Sequence, residues 1–169
     1  MKSIVRYVLF LTVIVSLSSC RSYQSSYDYA ALAKASVKLG VDIDRKDNHS
    51  LYVEASQWVG VPYHSGGMTK NGVDCSGLTK NIYLNVFNRT LPHSSSDQYM
   101  LCRRVAKRRL RAGDLVFFSS DSKLRKVDHV GVYLKNGYFI HSSSTYGVMV
   151  SKLNVKYYAD RWVSGGRVF

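Results

Sequence analysis

The apolar positions of this chain repeat with a helical period through its first two thirds, then alternate in twos. From Tyr29 to Leu39 (YAALAKASVKL) the spacing predicts a short helix that Gly40 stops. The polar stretch VDIDRKDNH follows. A second helix is predicted over Ser50 to Val59, where Leu51, Ala55 and Trp58 share a face and Gly60 closes the run. Pro62 and the turn-rich HSGGMTKNG lead to Asp74. From Cys75 the helical pattern resumes, with Leu78, Ile82 and Val86 on the face of Cys75 and an end near Asn88. Asp74 is placed to cap this helix, since its carboxylate can accept the unpaired amides of the first turn. Leu91 to Met100 holds another short helical pattern. From Asp114 (DLVFF) the pattern becomes that of strands: Val130 to Leu134, an Asn136-Gly137 turn, then Tyr138 to Ser142. Val148 to Val150 and Gly165 to Phe169 are candidate further strands. Helices first and an antiparallel sheet afterwards predict an α+β fold.

The first nineteen residues stand apart. MKSIVRY supplies two positive charges, and VLFLTVIVSLS is apolar, of signal-peptide length and short for a bilayer span. The run ends in Leu17-Ser18-Ser19-Cys20, which resembles a bacterial lipobox. The expected organisation is a lipoprotein signal peptide over 1–19, a polar tether over 20–27 beginning at an acylated Cys20, and a single domain over 28–169. Residues 28 to about 49 form a helical extension of that domain. Acyl chains on Cys20 would hold the protein to a membrane.

Composition narrows the picture further. Apolar residues make up 46% of the 169 and tyrosine alone accounts for 13, which excludes a disordered chain. The formal net charge is +13, and removing residues 1–19 takes away only Lys2 and Arg6, leaving +11. An excess of this size points to an anionic partner. For an exported protein, cell-wall polymers and anionic lipid surfaces are nearer than nucleic acid, and no nucleic-acid role is expected. Six basic residues and no acid fall in CRRVAKRRLR, residues 102 to 111, which reads as a solvated loop.

Chemistry concentrates on cysteine and histidine. Cys-x-x-Cys and His-Glu-x-x-His spacings are lacking in the sequence, so neither a metal site nor any cofactor is expected. With Cys20 assigned to lipid, Cys75 and Cys102 remain, and in an oxidising compartment they can pair. Unpaired, Cys75 would sit at a helix N-terminus, where peptide dipoles favour a thiolate and the free amides can stabilise an oxyanion. Position alone is also compatible with a small packed core residue.

A nucleophilic cysteine needs a histidine base and a group that orients it. Of five histidines, His129 and His141 flank the predicted hairpin. A two-residue turn at Asn136-Gly137 would put Val132 opposite His141 and the two rings on opposite faces. A three-residue loop, Lys135-Asn136-Gly137, with Gly137 left-handed, puts His141 opposite Gly131 and makes His129 its diagonal neighbour on the same face. The second register also gathers Val130, Val132, Leu134, Tyr138 and Ile140 on one apolar face, and is the expected one. His129 then serves as base to Cys75, and His141 holds its tautomer.

The segments Asp74-Cys75-Ser76-Gly77-Leu78, Arg111-Ala112-Gly113-Asp114-Leu115-Val116-Phe117-Phe118, His129-Val130-Gly131-Val132-Tyr133 and Phe139-Ile140-His141-Ser142-Ser143 together resemble, in order and spacing, the NlpC-type cysteine peptidases. The lipoprotein murein endopeptidases of Gram-negative bacteria are the most similar branch. The resemblance runs from about Ser50 to the C-terminus. It implies a compact papain-like fold and cleavage of peptidoglycan stem peptides. Cys75 would be the nucleophile, His129 the base and His141 the third member. It further implies that Tyr63 assists the oxyanion site and that Asp74 and Ser76 help bind a substrate amine. Tyr63-His64-Ser65-Gly66-Gly67 lacks an aromatic residue usual in that family, and Pro92-His93-Ser94 has His93 where an arginine is common. In the arginine's place His93 would bind a substrate carboxylate only when protonated. The implied location is the cell envelope, at the periplasmic face of the outer membrane, as a monomer. Two other readings use the same residues: an inactive wall-binding module with an oxidised or vestigial thiol, and a thiol acyltransferase or amidase.

Overall fold

A computed structural model describes residues 28–121 and 126–168. The signal peptide, Cys20 and the tether lie outside these residues. Helix α1 (Tyr29–Leu39) is capped by Asp28, whose carboxylate accepts from the Ala31 amide, and ends at left-handed Gly40 (φ 63°). Helix α2 (His49–Trp58) begins one residue before the expected start because the Asn48 side chain accepts from the Leu51 amide and takes the N-cap. The loop after Pro62 is more ordered than its turn-rich sequence suggests. It contains a small hairpin of β1 (Met68–Thr69) and β2 (Gly72–Val73) that delivers the chain to Asp74. Helix α3 (Cys75–Phe87) starts at Asp74 and stops at left-handed Asn88 (φ 51°), the two ends expected from sequence.

Helix α4 (Ser95–Leu101) leads into the basic run, and here the sequence expectation fails. Residues 103–105 form strand β3 and Lys107–Arg109 a single 3-10 turn, where a loop was expected. Tertiary pairing decides this: β3 lies antiparallel to the final strand, with Val105 inward and opposite Gly165. Strands β4 (Leu115–Phe118), β5 (His129–Tyr133), β6 (Tyr138–Ser143) and β7 (Gly147–Lys152) follow. A short helix, α5 (Lys156–Arg161), precedes β8 (Trp162–Arg167). The six strands stand in the order β3-β8-β4-β5-β6-β7, every pair antiparallel.

One face of the sheet carries Leu115, Phe117, Val130, Val132 and Ile140 against Leu51, Tyr52, Leu78 and Ile82 of the helices. The opposite face is not bare: Val116, Phe118, Phe139 and Leu153 form a second buried cluster with Tyr158 and Trp162 against them. The aromatic rings of this cluster meet at centroid separations of 5.0 to 5.9 Å, as in the pairs Phe118–Phe139 and Phe118–Trp162. The α+β class is thus as expected, with the N-terminal helices packed on one face of the sheet.

The β5–β6 hairpin has the register chosen on periodicity: Gly131 lies opposite His141 and Val132 opposite Ile140. Its tip is tighter than a plain three-residue loop. Asn136 and Gly137 are both left-handed (φ 53° and 82°), and the Tyr138 amide donates to the Lys135 carbonyl. The Leu134 amide also donates to Tyr138, so one extra residue on β5 converts a two-residue turn into the shifted register. Gly131 is required between the histidines. A Cβ there would stand 2.6 Å from the Ile140 carbonyl oxygen and 3.1 Å from the His141 Cβ.

Candidate active site

A cleft of about 250 Å³ opens where the N-terminus of α3 meets the ends of β4, β5 and β6; its lining includes Tyr63, Cys75, His129, His141 and Tyr158. Cys75 is the first residue of α3, so the local capping chemistry of Asp74 sets where the sulfur emerges. Cys75 and Cys102 are both free thiols, which removes the disulfide alternative. Cys102 packs against β8, its Cβ and Sγ among the atoms a side chain at Gly166 would strike.

Burial pushes the Cys75 thiol up to about 11, and the Asp74 charge adds to this, whereas the amides of Val130, Ser76 and Cys75 itself pull the other way. The expected thiolate-favouring effect of the helix N-terminus therefore acts but does not win, because lost hydration outweighs it. Burial likewise lowers His129 to about 4. His141 is held well below the ordinary imidazole value by burial and then by His129. Burial thus favours the neutral form of the thiol and of both rings.

His129 Nε2 and His141 Nδ1 are 2.9 Å apart with the rings nearly perpendicular. His141, 1% exposed, is stacked on Phe139 at 5.0 Å. Its Nε2 lies 3.0 Å from both Ser151 Oγ and Tyr158 OH. Of the two proton assignments the line allows, one leaves His129 able to act as a base toward the cleft: His129 Nε2–H donates to His141 Nδ1, and His141 Nε2–H donates to a hydroxyl. His129 Nδ1 is then the free ring nitrogen, with its lone pair available to a thiol. Sequence reasoning missed Ser151 and Tyr158. Ser151 lies on a strand seen only in outline and Tyr158 on the unforeseen α5, and neither carries a motif.

Tyr63 lines the cleft, 39% exposed. Asp74 and Ser76 form a hydrogen-bonded cluster at the start of α3. Asp74 accepts from the Gly77 amide at 2.6 Å, from Ser76 Oγ at 2.9 Å and from the Gly66 amide at 3.0 Å. His93 Nε2 also sits 3.0 Å from its Oδ2. Burial opposes ionisation of Asp74, yet these partners together keep its carboxyl below the ordinary range. His93 thus engages an internal carboxylate at the start of α3. Among the described residues no group of three or more His, Cys, Asp and Glu is arranged to hold a metal ion.

Comparison with known proteins adds independent information. The chain is 42% identical to a probable endopeptidase NlpC homolog of Haemophilus influenzae, a match covering 67% of this chain and 58% of that protein. It is 32% identical to murein DD-endopeptidase MepS/murein LD-carboxypeptidase of Escherichia coli K12 over 98% of this chain and 95% of that one. The crystal structure of an NlpC/P60 family protein from Bacillus cereus superposes with a TM-score of 0.66 at 32% identity, covering 75% of this chain and 41% of the other. The NlpC/P60 family model matches residues 60–167, and the chain belongs to the NlpC/P60 family.

Proposed function

We propose that this protein is a cysteine peptidase that hydrolyses amide bonds in the stem peptides or cross-links of peptidoglycan. The observation that carries the proposal is the convergence in one cleft of Cys75, at a helix N-terminus, with His129, whose far nitrogen is held 2.9 Å from His141. The names of the relatives, murein and NlpC endopeptidases, support the substrate class. Cys75 Sγ attacks the scissile carbonyl while its proton passes to His129 Nδ1. His129 returns that proton to the leaving amine. Water then attacks the acyl-enzyme, giving its proton to the same ring, and the thiol is regenerated. The amide of Cys75 and the Tyr63 hydroxyl are the donors nearest in role to an oxyanion hole. His141 orients His129 and shares its charge in the transition state. Asp74 and Ser76 shape the substrate side by fixing the first turn of α3. The protein acts at the cell envelope, anchored through acylated Cys20 to the periplasmic face of the outer membrane, as a monomer.

Digestion of purified sacculi tests this reading. Mass spectrometry of the released muropeptides is expected to show new amine and carboxylate termini at one stem-peptide bond. Incubation in labelled water should place one heavy oxygen in the new carboxylate. Unlabelled products joined to an added amine would identify an acyltransferase instead.

The hydroxyls behind His141 have a measurable share in this scheme. Removing both (Tyr158→Phe with Ser151→Ala) strips the buried Nε2–H of its acceptors. Such an unmet donor costs about 1–3 kcal/mol, and about a tenfold fall in kcat is expected with KM unchanged. Steady-state kinetics on a soluble muropeptide checks it, and an equal change in KM would show the hydroxyls to be substrate contacts.

A further inference from the structure

Among the described residues, a dense cluster of positive charge lies away from the cleft. A groove of about 750 Å³ is lined by Arg103, Arg104, Arg108, Arg109, Arg111 and Arg167. The acid at its border, Asp114, is buried and already neutralised, its two oxygens accepting from Arg167 Nε at 2.7 Å and NH2 at 2.6 Å. Arg108, within the 3-10 turn that follows β3, and Arg111, just after it, are both exposed. An adjoining pocket adds Arg89 to Arg111 and Arg167.

The sheet register locates this surface. Leu115, at the start of β4, lies opposite Gly166 and Val132, whereas Phe118, at its end, lies opposite Trp162 and His129. Arg103, paired with Arg167, is therefore at the Leu115 end and the cleft at the Phe118 end. The two are separated by three residue steps of strand, about 10 Å, and by two further strand positions toward the β3 edge. The start of the domain lies toward the same end of α3 as the arginines. Asp28 shares a surface pocket with Asn85 and Val86 in the last turn of α3, and the next residues of that segment, Phe87 and Arg89, line the arginine-rich pocket.

We propose that this arginine surface docks onto the phosphates of anionic lipid headgroups and holds the domain on the membrane with its cleft directed away from the bilayer. Guanidinium groups suit phosphate oxygens, which they bind in pairs and with little hydration to lose. A wall polymer is the less suitable occupant, because it must enter the cleft at the other end of the strands. The proposal also draws on the acylation of Cys20 put forward above. Eight Cα–Cα steps, through the seven residues 21–27, separate that cysteine from Asp28. Fully extended they reach about 28 Å, so an acylated chain keeps the arginines within range of the headgroups. One lipid signal with a basic patch is a sufficient combination for stable membrane residence.

The test uses the unacylated chain from residue 20 with Cys20→Ser, so that only the protein surface is read. Both buried clusters lie within the described domain, beyond residue 38, so this form keeps the whole packed core. Co-sedimentation is measured with vesicles of phosphatidylcholine alone, with vesicles containing phosphatidylglycerol, and with purified sacculi. Binding is expected to the anionic vesicles, falling with salt, and not to the neutral ones. Arg108→Glu with Arg111→Glu should weaken it at least about tenfold. Lys152→Glu with Lys156→Glu changes the net charge equally on the opposite edge strand and the α5 that follows it, and should weaken binding much less. Hydrolysis of a soluble muropeptide by the arginine variant should stay unchanged, which separates lost docking from lost folding. Equal losses in the two variant pairs, binding to neutral vesicles, or arginine-dependent binding to sacculi without binding to vesicles would each overturn the proposal. The binding results do not depend on whether Cys75 is catalytic, and an unchanged melting temperature of the arginine variant serves as the folding control if no hydrolysis is seen.

Discussion

Replacing Cys75 with alanine is expected to lower sacculus hydrolysis about 10⁴-fold or more, the scale on which loss of a covalent nucleophile acts. Cys75 is only partly buried at the margin of the core, so the variant should fold with a small change in melting temperature at most. A second readout tests the electrostatics of the site. The thiol is raised by burial to about 11, so little thiolate exists at neutral pH. In a Cys20→Ser background, alkylation by iodoacetamide should therefore accelerate about tenfold per pH unit toward that value. Cys102, buried at 7% exposure, contributes little to the signal. A rate already at its plateau below pH 7 would mean that Cys75 and His129 rest as an ion pair, and that the proton moves before substrate arrives.

The second large effect is a loss of stability in mild acid. An unfolded chain protonates its histidines near 6.5, whereas the folded site holds His129 down to about 4 because burial disfavours the cation. Between those values the unfolded state binds more protons, so stability is full above about 6.5 and falls as pH drops toward 4. His129 alone accounts for about 3 kcal/mol at the bottom of that window, and His141, lowered for the same reason, adds in the same direction. Asp74 acts in a different range. Its carboxyl is lowered from 3.8, so its contribution is lost only as pH falls below that value. Urea midpoints measured from pH 7 to pH 4 should therefore decline in the wild type and flatten in the double variant His129→Gln with His141→Gln. Parallel declines in both proteins would assign the acid sensitivity to other groups.

Much of the site was legible because its determinants are local. Asp74 caps α3 through bonds to amides within three residues, and Asn88 ends it in a conformation asparagine tolerates. The hairpin register followed from alternation, since a slip of one residue would have turned His141 into the apolar layer. The basic run misled for the opposite reason. Its charged residues suit a solvated loop, and only β8, some sixty residues later, supplies the partner that makes residues 103–105 a strand. Ser151 and Tyr158 were hidden because they reach His141 only once β7 pairs beside β6 and α5 packs on the second face of the sheet.

The sequence by itself determined the order of helices and strands, the placing of Cys75 at a helix start and the pairing of two histidines across one hairpin. Each of these depends on neighbours a few residues away. Tertiary structure alone decided the state of the thiol, the buried hydroxyls that complete the histidine line, the engagement of His93 by Asp74 and the gathering of six arginines into one groove. Those depend on burial and on contacts between distant segments, and hydration lost or charge accumulated is a property of the packed chain.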